Sequence, residues 1–180
     1  MKMIIGLGNP EARFNDTPHN VGFVAIDMLK EALGAQKTKE RQNGEIALVE
    51  VNGEEILLVK PLTYMNSSGE CVRKLIRKHK IRIFDIIVLV DDISVKAGEV
   101  KMKLIGSVGS HNGMKSIAAC IGTTDFVRLR IGVGEPKQGQ DLADYVLGKI
   151  PSEIFNAVSQ GIAKAAQMVI ALITERNKSA

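Results

Sequence analysis

The chain has 180 residues, two cysteines and a net charge of +4, and one domain of this size buries a core without disulfides or metal staples. The cysteines, Cys71 and Cys120, lack the spacing of a metal site and lie in predicted helices, so we interpret them as free core thiols in a reducing compartment. No signal peptide and no apolar run near the ~20 residues of a membrane span is evident. The mild positive charge is compatible with a polyanionic partner but does not establish one. These features predict a cytoplasmic protein with a single domain over residues 1–180.

The N-terminal half predicts a strand, a helix and a hairpin in that order. Residues 4–7 form an apolar strand that runs into a glycine turn. A helix follows, with Asn20 placed to cap its start and Gly34 to end it. The polar segment 36–44 predicts a mobile loop. Two strands joined by an Asn-Gly turn, which is typical of a hairpin, occupy residues 45–51 and 54–59.

The rest of the sequence, from residue 67 onward, predicts three helices and three strands. A capping-box pattern at residues 67–70 starts a helix to about residue 79, Asn112 caps a helix over 113–121, and a final helix covers 152–176. The strands are residues 86–90, 100–104 and 127–133. Strands alternate with helices apart from the one hairpin. The pattern therefore predicts a single three-layer α/β domain, with a mixed, mostly parallel, twisted sheet and helices on both faces.

His19 lies in the loop that leaves the first strand. Active sites of open α/β sheets gather at the carboxyl ends of strands, and histidine titrates near neutral pH. We therefore interpret His19 as a candidate general base, with a structural core or capping histidine as the alternative. An acid usually holds the second ring nitrogen, and Asp91 and Asp92 directly follow the apolar strand 86–90. The residues alone do not select between the two acids, and either is also a common turn residue.

Three asparagines follow three different predicted strands: Asn9, Asn66 and Asn112. Converging amides can hold a peptide backbone, position a water or stabilise an oxyanion, whereas the alternative is ordinary turn and cap chemistry. The sequence has no Gly-x-Ser-x-Gly elbow and no metal-ligand spacing. A water activated by His19 is therefore favoured over a covalent or metal mechanism, and we expect neither metal nor cofactor.

Basic residues form two groups. The first lies on or after one helix, within residues 73–82, and is typical of a solvated face. The second alternates along two strands, so that each pair projects from one face of the sheet. It consists of Lys101, Lys103, Arg128 and Arg130. Four such cations could grip phosphate; the alternative is an exposed sheet face paired with acids on neighbouring strands.

Six sequence blocks together resemble the bacterial-type peptidyl-tRNA hydrolase family. Any one of them is a weak signal, but their order and spacing match along nearly the whole chain. In chain order they are Gly6-Leu7-Gly8-Asn9-Pro10, His19-Asn20-Val21-Gly22, Lys60-Pro61-Leu62-Thr63-Tyr64-Met65-Asn66-Ser67-Ser68-Gly69, Val90-Asp91-Asp92, Gly109-Ser110-His111-Asn112-Gly113 and Arg128-Leu129-Arg130-Ile131-Gly132-Val133-Gly134.

The resemblance implies hydrolysis of the ester that joins a peptide to the terminal ribose of tRNA. It implies His19 as the catalytic base and Asp91 as the acid that orients it. Asp91 is preferred to Asp92 because its spacing along the sequence from Gly98 matches the family. It further implies a monomer whose partner is peptidyl-tRNA, with no membrane, no obligate protein partner and no cofactor. The implied substrate-binding residues are Asn9, Phe14, Tyr64, Asn66 and Asn112, and the implied clamp for the tRNA 5′-phosphate is Lys103 and Arg130.

The chain departs from the usual family pattern in four places. Phe14 stands where a tyrosine is usual, Pro18 replaces a common arginine, and Asp92 and Ser94 replace two acids. The glycine-rich loop that gates access in the family is thinned at residues 105–110. Two other classes of protein remain as alternatives: a non-catalytic RNA-binding module that uses the basic strands, and a peptidase or amidase on a similar sheet.

Overall fold

A computed structural model of the chain describes residues 1–35 and 38–175. Within them, seven strands form one sheet, accompanied by five α-helices. The strands are β1 (Lys2–Gly6), β2 (Thr38–Arg41), β3 (Gly44–Val51), β4 (Glu54–Pro61), β5 (Ile86–Asp92), β6 (Val100–Lys103) and β7 (Val127–Gly132). The helices are α1 (Val21–Ala32), α2 (Ser68–His79), α3 (Asn112–Ile121), α4 (Leu142–Leu147) and α5 (Ser152–Glu175).

The sheet is mixed, with a parallel centre and antiparallel edges. Its strand order is β2-β3-β4-β1-β5-β7-β6. The pairs β4–β1, β1–β5 and β5–β7 are parallel, whereas β2–β3, β3–β4 and β6–β7 are antiparallel. The carboxyl ends of the four central strands therefore meet at one edge of the sheet, where the loops that carry the candidate site residues begin.

Side-chain alternation along the strands builds a core on each face of the sheet. In β5, Ile87 and Leu89 belong to one buried cluster, and Ile86 and Val88 belong to the other. The first cluster includes the apolar faces of α1 and α5, and the second includes those of α2 and α3. This arrangement confirms the expected α/β fold with helices on both faces.

Two elements differ from the sequence-based expectations. The segment predicted as a mobile loop contains β2, which pairs with β3 at the edge of the sheet; residues 36 and 37 of that segment lie outside the described residues. The short helix α4 was not predicted, and Asp141 caps it by accepting from the backbone N–H of Asp144. Both elements are short, and β2 is also polar, so neither shows the sustained apolar periodicity that identifies longer elements.

The predicted caps of α1 and α2 are confirmed in position, since Asn20 and Ser67 are the N-cap residues of these helices, but neither side chain makes a cap hydrogen bond. The predicted cap of α3 was wrong by one residue. Asn112 is the first residue of α3 rather than its cap. The cap of α3 is His111, whose side chain accepts from the backbone N–H of Met114.

Helix α5 is, among the described residues, the single helix long and apolar enough to cross a membrane by length and composition alone. The sequence predicts this helix but no apolar run long enough to cross a membrane, because polar residues interrupt it. Its buried residues include Val158, Ile162, Ala165 and Val169, which pack in the same cluster as α1. This packing is that of a core helix.

The helix that follows His19 approaches the sheet closely through two glycines. A Cβ on Gly6 of β1 would lie 2.1 Å from the carbonyl oxygen of Gly22 in α1. A Cβ on Gly22 would lie 2.5 Å from both the backbone nitrogen of Leu7 and the carbonyl oxygen of Leu89. These contacts are with backbone atoms that cannot move aside, so the glycines fix the distance between α1 and the sheet.

We expect Gly22→Ala to lower the free energy of unfolding by about 2–3 kcal/mol, because the added methyl group must force α1 away from the sheet. Gly34→Ala is the matched control: its Cβ meets open space, but its φ of +65° is strained for alanine, at a cost of about 1 kcal/mol. Urea unfolding followed by circular dichroism measures both. A Gly22→Ala variant no less stable than Gly34→Ala would contradict the close-approach argument.

Candidate active site

Asp91 lies at the end of β5 and is buried, with 5% of its surface exposed. One carboxylate oxygen, Oδ2, lies 2.9 Å from Nδ1 of His19, and the other, Oδ1, lies 2.9 Å from Nε2 of His111. The two imidazole rings have centroids 4.8 Å apart and are tilted by 54°. The carboxylate is therefore held on both sides by histidines from separate loops.

The charge of this carboxylate depends on the two imidazoles. Burial acts to raise the pKa of Asp91, but the His111 and His19 rings oppose it by charge and by hydrogen bonding, and the net effect lowers the pKa well below its usual range. Asp91 is thus ionised at neutral pH and accepts a hydrogen bond from each ring.

The hydrogen bonds also fix which ring nitrogens carry protons. Because ionised Asp91 can only accept, Nδ1 of His19 donates to it, and Nε2 of His19 is left with a lone pair. In the neutral form of His111, Nε2 carries the proton and Nδ1 accepts from the Met114 N–H at 3.4 Å. His19 thus keeps one basic nitrogen free, whereas both nitrogens of His111 have partners within the protein.

Pro18–Asn20 forms a short 3-10 helix that presents His19. Pro18 occupies its first position, where its missing N–H costs nothing, and Thr17 before it is extended, as a residue preceding proline prefers. The Asn20 side chain accepts from the N–H of Asn9 and donates to its carbonyl, both at 2.9 Å. Pro18 is thus accommodated by its place at the start of the short helix. The bonds between Asn20 and Asn9 hold this segment against the turn after β1.

The three asparagines are placed differently from one another. Asn9 is buried, and its Oδ1 accepts from the backbone N–H of Met65 at 2.9 Å; its Nδ2 donates to no described residue. Asn66 and Asn112 are exposed, at the starts of the segments that lead into α2 and α3. Asn9 therefore joins two loops and retains one amide donor, whereas the other two side chains face solvent.

A cavity of about 710 Å³ opens beside His19 at the carboxyl edge of the sheet. It brings together the histidine pair, Asn112 and three of the four cations of β6 and β7. The residues singled out from the sequence that line it are His19, Asp91, Asp92, Lys103, Asn112, Arg128 and Arg130. Asn9, Phe14, Tyr64 and Asn66 are not part of its lining.

Tyr64 and Phe14 belong to an exposed chain of contacts outside the cavity. The Tyr64 hydroxyl donates to Glu11, and the carboxylate of Glu11 also pairs with Arg13. The guanidinium of Arg13 stacks over the Phe14 ring at 4.6 Å. The Tyr64 hydroxyl lowers the pKa of Glu11, and Glu11 in turn raises the pKa of Tyr64.

The four cations predicted on β6 and β7 have separate environments. Arg128 is buried and donates to the carbonyl oxygens of Gly106 and Thr124 at 3.0 and 2.6 Å. Lys103 donates to the carbonyl of Ser107 at 3.1 Å. Arg130 pairs with an acid, Asp92, and Lys101 is exposed outside the cavity lining. Arg128 thus anchors the 104–110 loop, the four cations are not equivalent, and phosphate binding by Lys103 and Arg130 stays a prediction.

His111 has no role of its own among the predictions from sequence, although it is part of the block Gly109-Ser110-His111-Asn112-Gly113 that resembles the family. The available signal was that the chain has only three histidines and that this one adjoins Asn112. Potential ligand atoms of His19, Asp91 and His111 lie within 4.8 Å of one another, a cluster that sequence spacing did not reveal. Hydrogen bonding between these groups accounts for the cluster, and independence from metal stays a prediction.

Cys71 and Cys120 are both free, as expected. Cys71 lies in the core, whereas Cys120 is only partly buried. Burial raises the pKa of the Cys71 thiol to about 12, so this thiol stays protonated and is a poor nucleophile.

Fold and site together are those of an α/β hydrolytic enzyme: an ionised acid orients a histidine at the wall of a cavity, on the edge where four strands end. Comparison with known proteins narrows this class. The sequence pattern of the family described as peptidyl-tRNA hydrolase matches residues 3–180. Peptidyl-tRNA hydrolases of Bacillus cereus and Geobacillus kaustophilus are 43% and 44% identical to the chain over 166 residues, which cover 92% of this chain and 89% of each relative.

The solved structures agree with the sequence comparison. A crystal structure of peptidyl-tRNA hydrolase from Acinetobacter baumannii matches with a TM-score of 0.89 and 32% identity, and the match covers 96% of this chain and 88% of that one. The chain therefore belongs to the peptidyl-tRNA hydrolase family and is a hydrolase of the ester bond of peptidyl-tRNA.

Asp91→Asn should be less stable than the wild type by about 3 kcal/mol at neutral pH, because it removes the charge that both imidazoles face. Folding lowers the pKa of Asp91, so its stabilising contribution is present above the ordinary carboxyl pKa of about 4 and is lost as the pH falls below it. Urea unfolding over a pH series measures the difference.

The matched control is Asp125→Asn, an exposed acid outside the cavity, which should change stability little at any pH. A gap between wild type and Asp91→Asn that persists unchanged in acid would show that the charge of Asp91 does not stabilise the fold.

Proposed function

We propose that His19 and Asp91 carry out the hydrolysis by activating a water molecule. The observation that carries this proposal is the 2.9 Å contact between Nδ1 of His19 and Oδ2 of Asp91 at the wall of the cavity. It leaves Nε2 of His19 as a lone-pair base oriented by a buried carboxylate. This is the arrangement that general-base catalysis needs.

In the proposed reaction, Nε2 of His19 takes a proton from water as the water oxygen attacks the carbonyl carbon of the ester. Asp91 stabilises the imidazolium that forms. The tetrahedral intermediate then collapses, the bond from carbon to the ribose oxygen breaks, and His19 returns its proton to that oxygen. The products are a free peptide and tRNA, and no group of the protein forms a covalent bond.

The amides are assigned to the substrate. Asn112 lines the cavity beside His19 and, together with Asn66, is proposed to stabilise the oxyanion. The free Nδ2 donor of Asn9 is proposed to hold a carbonyl of the peptide. Tyr64 and Phe14 lie outside the cavity, in the chain of contacts that runs through Glu11 and Arg13. They are proposed to contact the peptide or tRNA beyond the reacting bond.

Lys103 and Arg130 are proposed to bind the 5′-phosphate of the tRNA, since both line the cavity that holds His19. We further propose that the enzyme works as a monomer in the cytoplasm with no obligate protein partner and no cofactor. A non-catalytic RNA-binding module would leave the buried Asp91 and its two histidines without a purpose. A peptidase or amidase would not depend on tRNA.

His19→Ala should lower peptidyl-tRNA turnover by about 100- to 10,000-fold, the usual contribution of a general base, while the thermal unfolding midpoint shows that it stays folded. His79→Ala is the matched control, because His79 ends α2 and does not line the cavity. Assays with peptidyl-tRNA, aminoacyl-tRNA and a free peptide ester separate the three classes of function. Near-normal turnover by folded His19→Ala would remove His19 from the mechanism.

The double variant Lys103→Ala, Arg130→Ala should bind tRNA more weakly, and the slope of log Kd against log salt should become shallower by about one. The control double variant Lys101→Ala, Lys164→Ala removes the same charge from exposed positions that do not line the cavity. Fluorescence titration at several salt concentrations measures the slopes. Equal slopes for the two double variants would exclude a phosphate clamp at Lys103 and Arg130.

A further inference from the structure

The guanidinium of Arg130 already has an anionic partner within the protein. Its Nε lies 2.5 Å from Oδ2 of Asp92, and one terminal nitrogen, Nη2, lies 3.0 Å from the Ser94 hydroxyl. Side chains of Arg130 and Asp92 are 30% and 19% exposed, so water screens the pair only in part. The side of the guanidinium that best binds an oxyanion is therefore occupied.

Ser94 closes this contact into a ring. Its hydroxyl lies 2.6 Å from Oδ1 of Asp92, and its backbone N–H donates to the same oxygen at 2.8 Å. Arginine can only donate and an ionised carboxylate can only accept, so the hydroxyl donates to Asp92 and accepts from Arg130. Arg130 and Ser94 hold the pKa of Asp92 below its usual range against the effect of burial, which keeps the acid charged.

The two cations assigned to the clamp are consequently unequal. Among the described residues, the Lys103 ammonium has one hydrogen-bond partner, the neutral carbonyl of Ser107, whereas the charge of Arg130 is balanced by Asp92. Lys103, Asp92, Ser94 and Arg130 all line the same cavity. Arg128 also lines it, but its guanidinium is already bonded to backbone carbonyls. Among the described residues, an incoming phosphate therefore meets one cation without an acidic partner, Lys103, and one that is paired with an acid, Arg130.

We propose that Asp92, with Ser94, is an internal competitor for phosphate at Arg130 and so determines how strongly the enzyme holds the 5′-end of tRNA. This inference rests on the proposed clamp. A phosphate must either displace the Asp92 carboxylate from Nε and Nη2 or use the remaining terminal nitrogen, Nη1, which has no hydrogen-bond partner among the described residues. In both cases it is opposed by the negative charge of Asp92.

The competition has a use in turnover. Released tRNA carries the same 5′-phosphate as the substrate, so a clamp of full strength would hold the product as firmly as the substrate. Weakening Arg130 with an internal acid reduces this product binding and leaves the cavity open to the next substrate.

The test compares Asp92→Asn with the wild type in binding deacylated tRNA that carries either a 5′-phosphate or a 5′-hydroxyl. Removing the charge should tighten binding of the phosphorylated tRNA by about threefold to tenfold, the effect expected of one nearby like charge in partly screened surroundings. The hydroxyl-ended tRNA should change less. Ser94→Ala should shift affinity in the same direction by a smaller factor.

The matched control is Glu99→Gln, which changes net charge equally at an exposed position outside the cavity. A second check is Asp92→Asn combined with Arg130→Ala, in which the gain should be smaller than with Arg130 present, because competition for the guanidinium is then absent and only the repulsion by Asp92 is removed. Thermal unfolding midpoints confirm that each variant is folded.

Three outcomes would overturn the inference: an Asp92→Asn affinity equal to that of Glu99→Gln, weaker binding by Asp92→Asn, or equal tightening of both tRNAs. Weaker binding would mean that Asp92 positions Arg130 for phosphate. Failure of the underlying clamp is distinguishable, because then Arg130→Ala alone would leave the preference for the 5′-phosphate unchanged.

Discussion

A carboxylate buried at the end of a central strand must be paired, because leaving its charge alone in the interior costs several kcal/mol. Asp91 meets this requirement with two histidines, one at each oxygen. The need to pair one charge thus fixes the positions of two segments distant in sequence: the 3-10 helix that carries His19, and the start of α3 that carries His111. The same bonds orient the basic nitrogen of His19.

A second network supports the first from the β1 side. The double hydrogen bond from Asn20 to the backbone of Asn9 joins the residue after His19 to the turn after β1. The Asn9 side chain then binds Met65, which begins the segment that carries Asn66. A substitution of Asn9 would therefore shift the backbone of both segments, and with it His19 and the exposed amide of Asn66, without changing any charge.

The sequence predicts most of the fold because apolar periodicity is strong in the long elements. It does not predict β2, whose four residues are polar and exposed and pair with β3 at the edge of the sheet. At the site, His19 and the neighbouring pair of acids are visible as residue types at strand ends. Their partners depend on which loops meet across the sheet, and no local pattern records that.

The resemblance to a family chooses Asp91 for the histidine, and the structure pairs these two side chains. Asn20 stands at the N-cap position that the sequence predicts, but its side-chain amide binds the backbone of Asn9 instead of the helix.

The sequence places Arg128 and Arg130 in one group, since they alternate on one strand. Burial separates them: Arg128 is 2% exposed and binds carbonyls, and Arg130 lies nearer the solvent with an acid. Asp91 and Asp92 are likewise neighbours in sequence but bind different partners, one two histidines and the other Arg130. Asp92 and Ser94 contact Arg130 and not the histidines, so under the competition proposed above substitutions there would change the binding of an anion while the histidine pair stays intact.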